Sequence, residues 1–431
     1  MVKQSIKIII FMLLTWLVIF GVRNIHISYE DTTNDAFGLF SALTCCYVVL
    51  AIISIILPII INTYKTEKTL FWIFVFIAIL LRQPFAILKG ITISDQLYRA
   101  SLALRLIEET RITEVYDYFK YPISIIFLSI FSTIVELPVD LVMNITASLL
   151  HVLIIVFFYV VSKRYTIDIN ARILVCFLAS LTGVPTSIFF SPWLFSICLL
   201  WASLTAIQRT KNQMSSALII LLLSISISLS HSLVNIFNVF LLLLYLFVQV
   251  TRKKIMKLNG LSSVVNATVL ISSGMAMVSW WVHGYGDLSI PYNVINAISN
   301  LIVGKSHSAA MHSYKLYPPH EFFKTFSYVY IRVFLGIIFL LLVKEIWFPL
   351  RREMISKKIL KMEYVNILAL PILPFLASLP MMITVGIYYD RIMMDLFIPF
   401  SILSLAVKKK CFSKISIFFI AVTVPFSLLY L

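Results

Sequence analysis

Apolar runs of roughly 20 residues, the length an α-helix needs to cross the hydrocarbon core of a bilayer, recur from residue 6 to residue 431 without a segment polar enough to form a soluble domain between them. Backbone within lipid must close its hydrogen bonds on itself, so such runs read as helices packed into a bundle. Composition agrees, since 61% of the 431 residues are hydrophobic and 13% are charged, at a mean hydropathy of +0.99. That is too apolar for a water-soluble globule. The sequence predicts an all-α polytopic membrane protein: one integral membrane domain over residues 1–431, with about 13 transmembrane helices.

Charge sets the expected orientation. The formal net charge is +16, from 35 Lys and Arg against 19 Asp and Glu. In a soluble protein this balance would suggest nucleic acid, but cytoplasmic loops of membrane proteins attract Lys and Arg without any anionic partner. Spans over residues 6–22, 39–62, 69–81, 139–161, 173–190, 194–207, 215–230, 233–250, 264–281, 328–343, 365–388, 392–407 and 415–431 place most basic residues on one side. The N-terminus then faces the cytoplasm, and two polar loops, 90–122 and 283–324, face outward. The run from 123 to 138 is short, bounded by Pro122 and Pro138 and interrupted by Glu136, so it reads as an interfacial or re-entrant helix.

The first outer loop concentrates the chemistry. Leu97, Ala100, Leu104 and Ile107 repeat at helical spacing, while Asp95, Arg99, Arg105, Glu108 and Glu109 stay largely off that face. The pattern predicts an amphipathic helix along the outer membrane surface. Asp95 falls in its first turn, where the helix dipole favours the ionised carboxylate. It serves either as a base or as a helix cap paired with Arg99. On the same outer side, Arg391 opens a late span and can reach a lipid phosphate by a bidentate contact, or else snorkel or pair with Asp390 or Asp395. Arg332, about one turn into a span, is a second phosphate candidate. His231, between Ser230 and Ser232, is a base or a hydrogen-bonded structural histidine.

Metal chemistry has little to build on. Cys45, Cys46, Cys176, Cys198 and Cys411 lie in or beside apolar runs, and His283, His307, His312 and His320 lack ligand spacing. The phosphate-cradling Gly-rich loop, the nucleophile elbow and the His-Glu-x-x-His helix are not found.

Ser94-Asp95-Gln96-Leu97-Tyr98-Arg99, the helical run after it, Tyr116, Tyr118 and Tyr121-Pro122, and a short apolar helix together resemble the first outer loop of GT-C superfamily glycosyltransferases. The likeness continues through Lys163-Arg164 at a span end, Pro185, His231 and Arg391. It implies a GT-C-like bundle that transfers a sugar, with inversion, from a polyprenyl-phosphate or polyprenyl-diphosphate donor. The acceptor would be a glycan, lipid or protein on the outer face of a prokaryotic plasma membrane. By this resemblance Asp95 is the base, while Arg391, Arg332, Arg99, His231 and Tyr121 bind the substrate or its lipid phosphate. The lipid-linked sugar is a substrate and no cofactor is required. A second outer acid, common in metal-using members, is missing around residues 189–193, so a divalent metal is not supported. The expected partners are membrane lipids, the donor and the acceptor, without nucleic acid. Three other readings stand beside this one: a non-catalytic scaffold or lipid-binding protein of the same architecture, a lipid-linked glycan polymerase or flippase, and a transporter.

Overall fold

The computed structural model describes residues 94–109, 122–165, 172, 190–209, 213–231, 233–243, 246, 262–279, 299, 340, 396–397 and 400–401. These form seven helices and, among the described residues, no strand. In chain order they are α1 (Ser94–Glu109), α2 (Pro122–Val135), α3 (Val139–Tyr165), α4 (Pro192–Arg209), α5 (Gln213–Ser228), α6 (Leu233–Leu243) and α7 (Ser262–Ser279). The expected spans over 1–93, and the loop 283–324 apart from Ser299, lie outside the described residues.

Local chemistry explains where the helices begin. Pro122 and Pro192 are the first residues of α2 and α4, a position where the missing N–H has no intrahelical partner to lose and φ is already set. Ser191 caps α4, its Oγ accepting from the Leu194 N–H at 3.1 Å. Asp140 stands in the first turn of α3, where the helix dipole favours an acid. Between α2 and α3 the chain turns through Glu136, whose φ of 54° lies in the left-handed region. The Ser132 hydroxyl donates to the Leu137 carbonyl across that corner at 2.6 Å.

Helices α1, α2 and α3 pack on one another, α4 lies against α3 and α5, and α7 covers α5. Leu102 and Ala103 of α1, Ile125 and Leu128 of α2, Val142, Met143 and Leu150 of α3, and Phe190, Leu194 and Phe195 leading into α4 share one buried cluster. Trp201 of α4 joins this core to a later segment: its ring lies 4.3 Å from Phe158 of α3 and 5.0 Å from Phe400, centroid to centroid.

The expectation of about 13 membrane-crossing helices is overturned. Among the described residues one helix, α3, is long and apolar enough to cross a bilayer, over Val139–Lys163. Among the described residues the other apolar helices are shorter or less apolar. At 1.5 Å per residue the 16 residues of α5, which lie close to the expected span 215–230, reach only about 24 Å, short of the roughly 30 Å of hydrocarbon.

α3 is apolar on two sides. Val142, Met143, Ala147, Leu150, Phe158 and Val161 face the core, whereas Leu141, Ile145, Leu149 and Leu153, four residues apart, are all exposed. α5 and α7 do likewise, exposing Leu218, Leu222 and Ile225, and Ile271, Met275 and Val278. A helix apolar all round has no water-facing side.

Candidate functional site

The outer-loop helix forms where the sequence places it, and Asp95 is its second residue. The packing face differs from the expected one. Leu102 and Ala103 are buried with Tyr98, Ala100, Leu106 and Ile107 packed around them, while Leu104, on the stripe expected to lie along the membrane, is 47% exposed. Because α1 touches α2 and α3 together, its buried band covers two adjoining stripes, centred beside the single stripe that the spacing suggests.

Arg99 is partly buried, and its Nη1 donates to the Phe190 carbonyl oxygen at 2.9 Å. The bond ties the first turns of α1 to the residue just before the α4 cap. A guanidinium bond to a carbonyl in a partly buried setting is among the stronger ones a chain makes. Arg105, Glu108 and Glu109 sit on the exposed side of the helix.

His231 closes the corner between α5 and α6. Its N–H donates to the Ile227 carbonyl at 2.9 Å, and its own carbonyl accepts from the Asn235 N–H at 3.0 Å. The side chain is buried, with its ring set edge-on to Trp193 at 5.1 Å and 84°. Arg99 and His231 thus meet the same short stretch, residues 190–193, from two directions. Tyr121, Arg332 and Arg391 lie outside the described residues. The nearest described neighbour of Arg391 in sequence is the 396–401 segment, where Leu396, Phe397, Phe400 and Ser401 are buried.

Around this corner lies a group of buried polar side chains that sequence reasoning missed. Asn238 donates from Nδ2 to the Ser224 hydroxyl at 2.9 Å and accepts from the Ser203 hydroxyl at 3.5 Å, which couples α6 to α5 and α4. Asn235, one turn earlier on α6, is also fully buried. The signal was in the sequence: two Asn residues three apart in an apolar run share a helix face, and amides do not enter such runs without cost. No group of three or more His, Cys, Asp or Glu able to hold a metal occurs among the described residues.

No protein-family model, curated protein or solved structure matches the chain.

Proposed function

We propose that this chain is a membrane-embedded glycosyltransferase that moves a sugar from a polyprenyl-phosphate-type lipid donor to an acceptor hydroxyl, with Asp95 as the general base. The observation that supports it best is the setting of α1. The first turn carrying Asp95 is fixed to the chain before α4 by the Arg99–Phe190 bond, and the helix packs directly on α3, the one described helix of membrane-spanning length. An aspartate in the first turn of a polar helix that packs on a helix with an apolar exposed stripe suits chemistry between a water-borne hydroxyl and a lipid-borne leaving group.

In this reading the Asp95 carboxylate takes the acceptor's hydroxyl proton as that oxygen attacks the anomeric carbon from the face opposite the lipid phosphate. The glycosidic bond forms as the carbon–phosphate oxygen bond breaks, the configuration inverts, and the lipid phosphate departs with the bonding pair. Arg391 and Arg332 are the cations assigned to the charge growing on that phosphate. The exposed apolar stripes of α3, α5 and α7 accommodate acyl or prenyl chains.

A second reading, a non-catalytic lipid-binding scaffold, draws support from Arg99, whose Nη1 is engaged by a backbone carbonyl. One substitution separates the two. Asp95→Asn keeps size and polarity but removes the base, so turnover with lipid-linked sugar should fall about 100-fold or more, with the thermal midpoint of the full chain nearly unchanged. Unchanged turnover discards Asp95 as the base. If the unaltered chain turns over no lipid-linked sugar at all, the scaffold reading holds.

A further inference from the structure

Helix α2 is turned inside out for a helix in water. Its serines point inward, with Ser124, Ser129 and Ser132 all buried, while Phe127, Ile130 and Ile134 are 36%, 54% and 73% exposed. At 3.6 residues per turn these three form one stripe, and the buried serines lie on the other side of the helix. Water disfavours that arrangement, because it wets apolar side chains and strips hydroxyls of their hydration. Two of the inward hydroxyls recover a bond: Ser129 reaches the Ala103 carbonyl of α1 at 3.1 Å, and Ser132 the Leu137 carbonyl at 2.6 Å. The outward stripe calls for an apolar surrounding.

The neighbours of α2 set its orientation. α1 packs on α2 through its Leu102 and Ala103 side, and its other side exposes Arg105, Glu108 and Glu109. The two outer faces therefore look apart, that of α1 charged and that of α2 apolar. Charges immersed in hydrocarbon are costly, so α1 belongs on the water side of the pair and α2 on the lipid side. A helix standing across the bilayer would carry α1 and its charges into the membrane beside it, whereas a helix lying in the interface plane does not. Beyond its C-terminal end the apolar stripe runs on through exposed Leu137 into Leu141 and Ile145 of α3, the described helix of membrane-spanning length. The corner between the two helices exposes Glu136 and Asp140, which suits the headgroup level. These acids also oppose a self-paired contact at the corner, since a second copy would bring like charges together.

We propose that α2 is an interfacial helix whose Phe127, Ile130 and Ile134 face sits in the acyl layer of a phospholipid membrane, with α1 carried on its water-facing side. The lipid contact expected of α1 from its sequence thus passes to its neighbour. The proposal needs no glycosyl transfer and holds equally for a scaffold.

The test uses the full chain in phosphatidylcholine nanodiscs, with a photoreactive residue introduced one position at a time: Phe127→benzoylphenylalanine, Ile134→benzoylphenylalanine and, on the outer side of α1, Glu108→benzoylphenylalanine. After illumination, the intact mass reads the adduct. Positions 127 and 134 should each gain the mass of one phospholipid in several-fold higher yield than position 108. These two positions lie about 10 Å apart along the helix, so fragment masses should place both adducts at the same depth of the acyl chain if α2 lies in the plane. Adducts at different depths would show a helix that enters the membrane end-on and would overturn the proposal. So would a crosslink to a second copy of the chain, no phospholipid adduct at all, or equal yields at 108 and 134. Should either α2 variant fold poorly, Ile130→benzoylphenylalanine takes its place. None of these outcomes bears on the turnover test of Asp95→Asn, and the failure of that test leaves the crosslinking result standing.

Discussion

The two ends of the described core handle buried polar groups differently. In the α1–α3 packing, hydroxyls and the imidazole bond to helix carbonyls: Ser129 lies 3.0 Å from the Ile125 carbonyl of its own helix and 3.1 Å from that of Ala103 on α1, Thr133 donates to Ser129, and His151 Nδ1 lies 2.8 Å from the Ala147 carbonyl. Such groups are spent on backbone. At the α4–α6 corner the amides instead reach between helices through Asn238, or find nothing, as Asn235 does. The serines behave alike in both regions, Ser196, Ser228 and Ser230 bonding to carbonyls of their own helices as Thr133 does; what sets the corner apart is a carboxamide that bonds to side chains of two other helices. The α1–α3 packing is thus tied by side-chain bonds to backbone, and the corner by a side-chain link through Asn238 as well.

The largest expected effect falls on the residue that joins the two. Trp201 is almost wholly buried and contacts Phe158 on one side and Phe400 on the other. Trp201→Ala should cost about 3–5 kcal/mol, the range for deleting a buried large aromatic. If the regions are one cooperative core, amide exchange should rise together in α3 and in α4–α6. Faster exchange confined to α4–α6 would show two cores that merely touch, and would loosen the tie between Asp95 and the corner.

Next in size is the contrast within α6. Asn238→Leu strips both the Ser224 and the Ser203 hydroxyls of their cross-helix partner and should destabilise by about 1–3 kcal/mol. Asn235→Leu removes no bond within the described residues, so its effect should be less than half as large. Equal losses at the two positions, read from thermal or denaturant unfolding of the full chain, would erase the difference between a bonded and an unbonded buried amide.

Much of the helix layout was legible because its signals are local. Pro122, Pro192 and Ser191 announce helix starts through φ and capping, and α3 follows its expected span closely. The existence of α1 was legible from spacing, but its face was not, because packing against two helices at once shifts the buried band onto Leu102 and Ala103. The count of membrane-crossing helices failed on length rather than position: the break near residue 231 was expected between spans 215–230 and 233–250, but the 16 residues of α5 reach only about 24 Å, short of the roughly 30 Å of hydrocarbon. Of the candidate site, Arg99 and His231 were visible as charged or titratable residues, yet their meeting at residues 190–193 is a tertiary fact. Asn235 and Asn238 were passed over because neither ionises.

The smallest effect concerns how each region makes its corner. Between α5 and α6 the described turn residues bond through backbone, with Ser230 N–H to Ile227 at 3.0 Å and His231 N–H to the same carbonyl at 2.9 Å, and the Ser230 hydroxyl donates to the Ser226 carbonyl at 2.6 Å. Between α2 and α3 the turn requires Glu136 at a φ of 54°, a region that costs a residue with a Cβ about 1–2 kcal/mol. Glycine removes that penalty but adds about 0.4–1 kcal/mol of unfolded-chain freedom. Glu136→Gly should therefore stabilise the chain by about 0.5–1 kcal/mol. Glu136→Ala keeps the strain and removes only an exposed side chain, so it should stay within about 0.5 kcal/mol of the unaltered protein. If alanine stabilises as much as glycine, the gain comes from losing the carboxylate rather than from relieving the backbone. The first corner would then owe its shape to the Ser132–Leu137 bond, and the two corners would differ less than their geometry suggests.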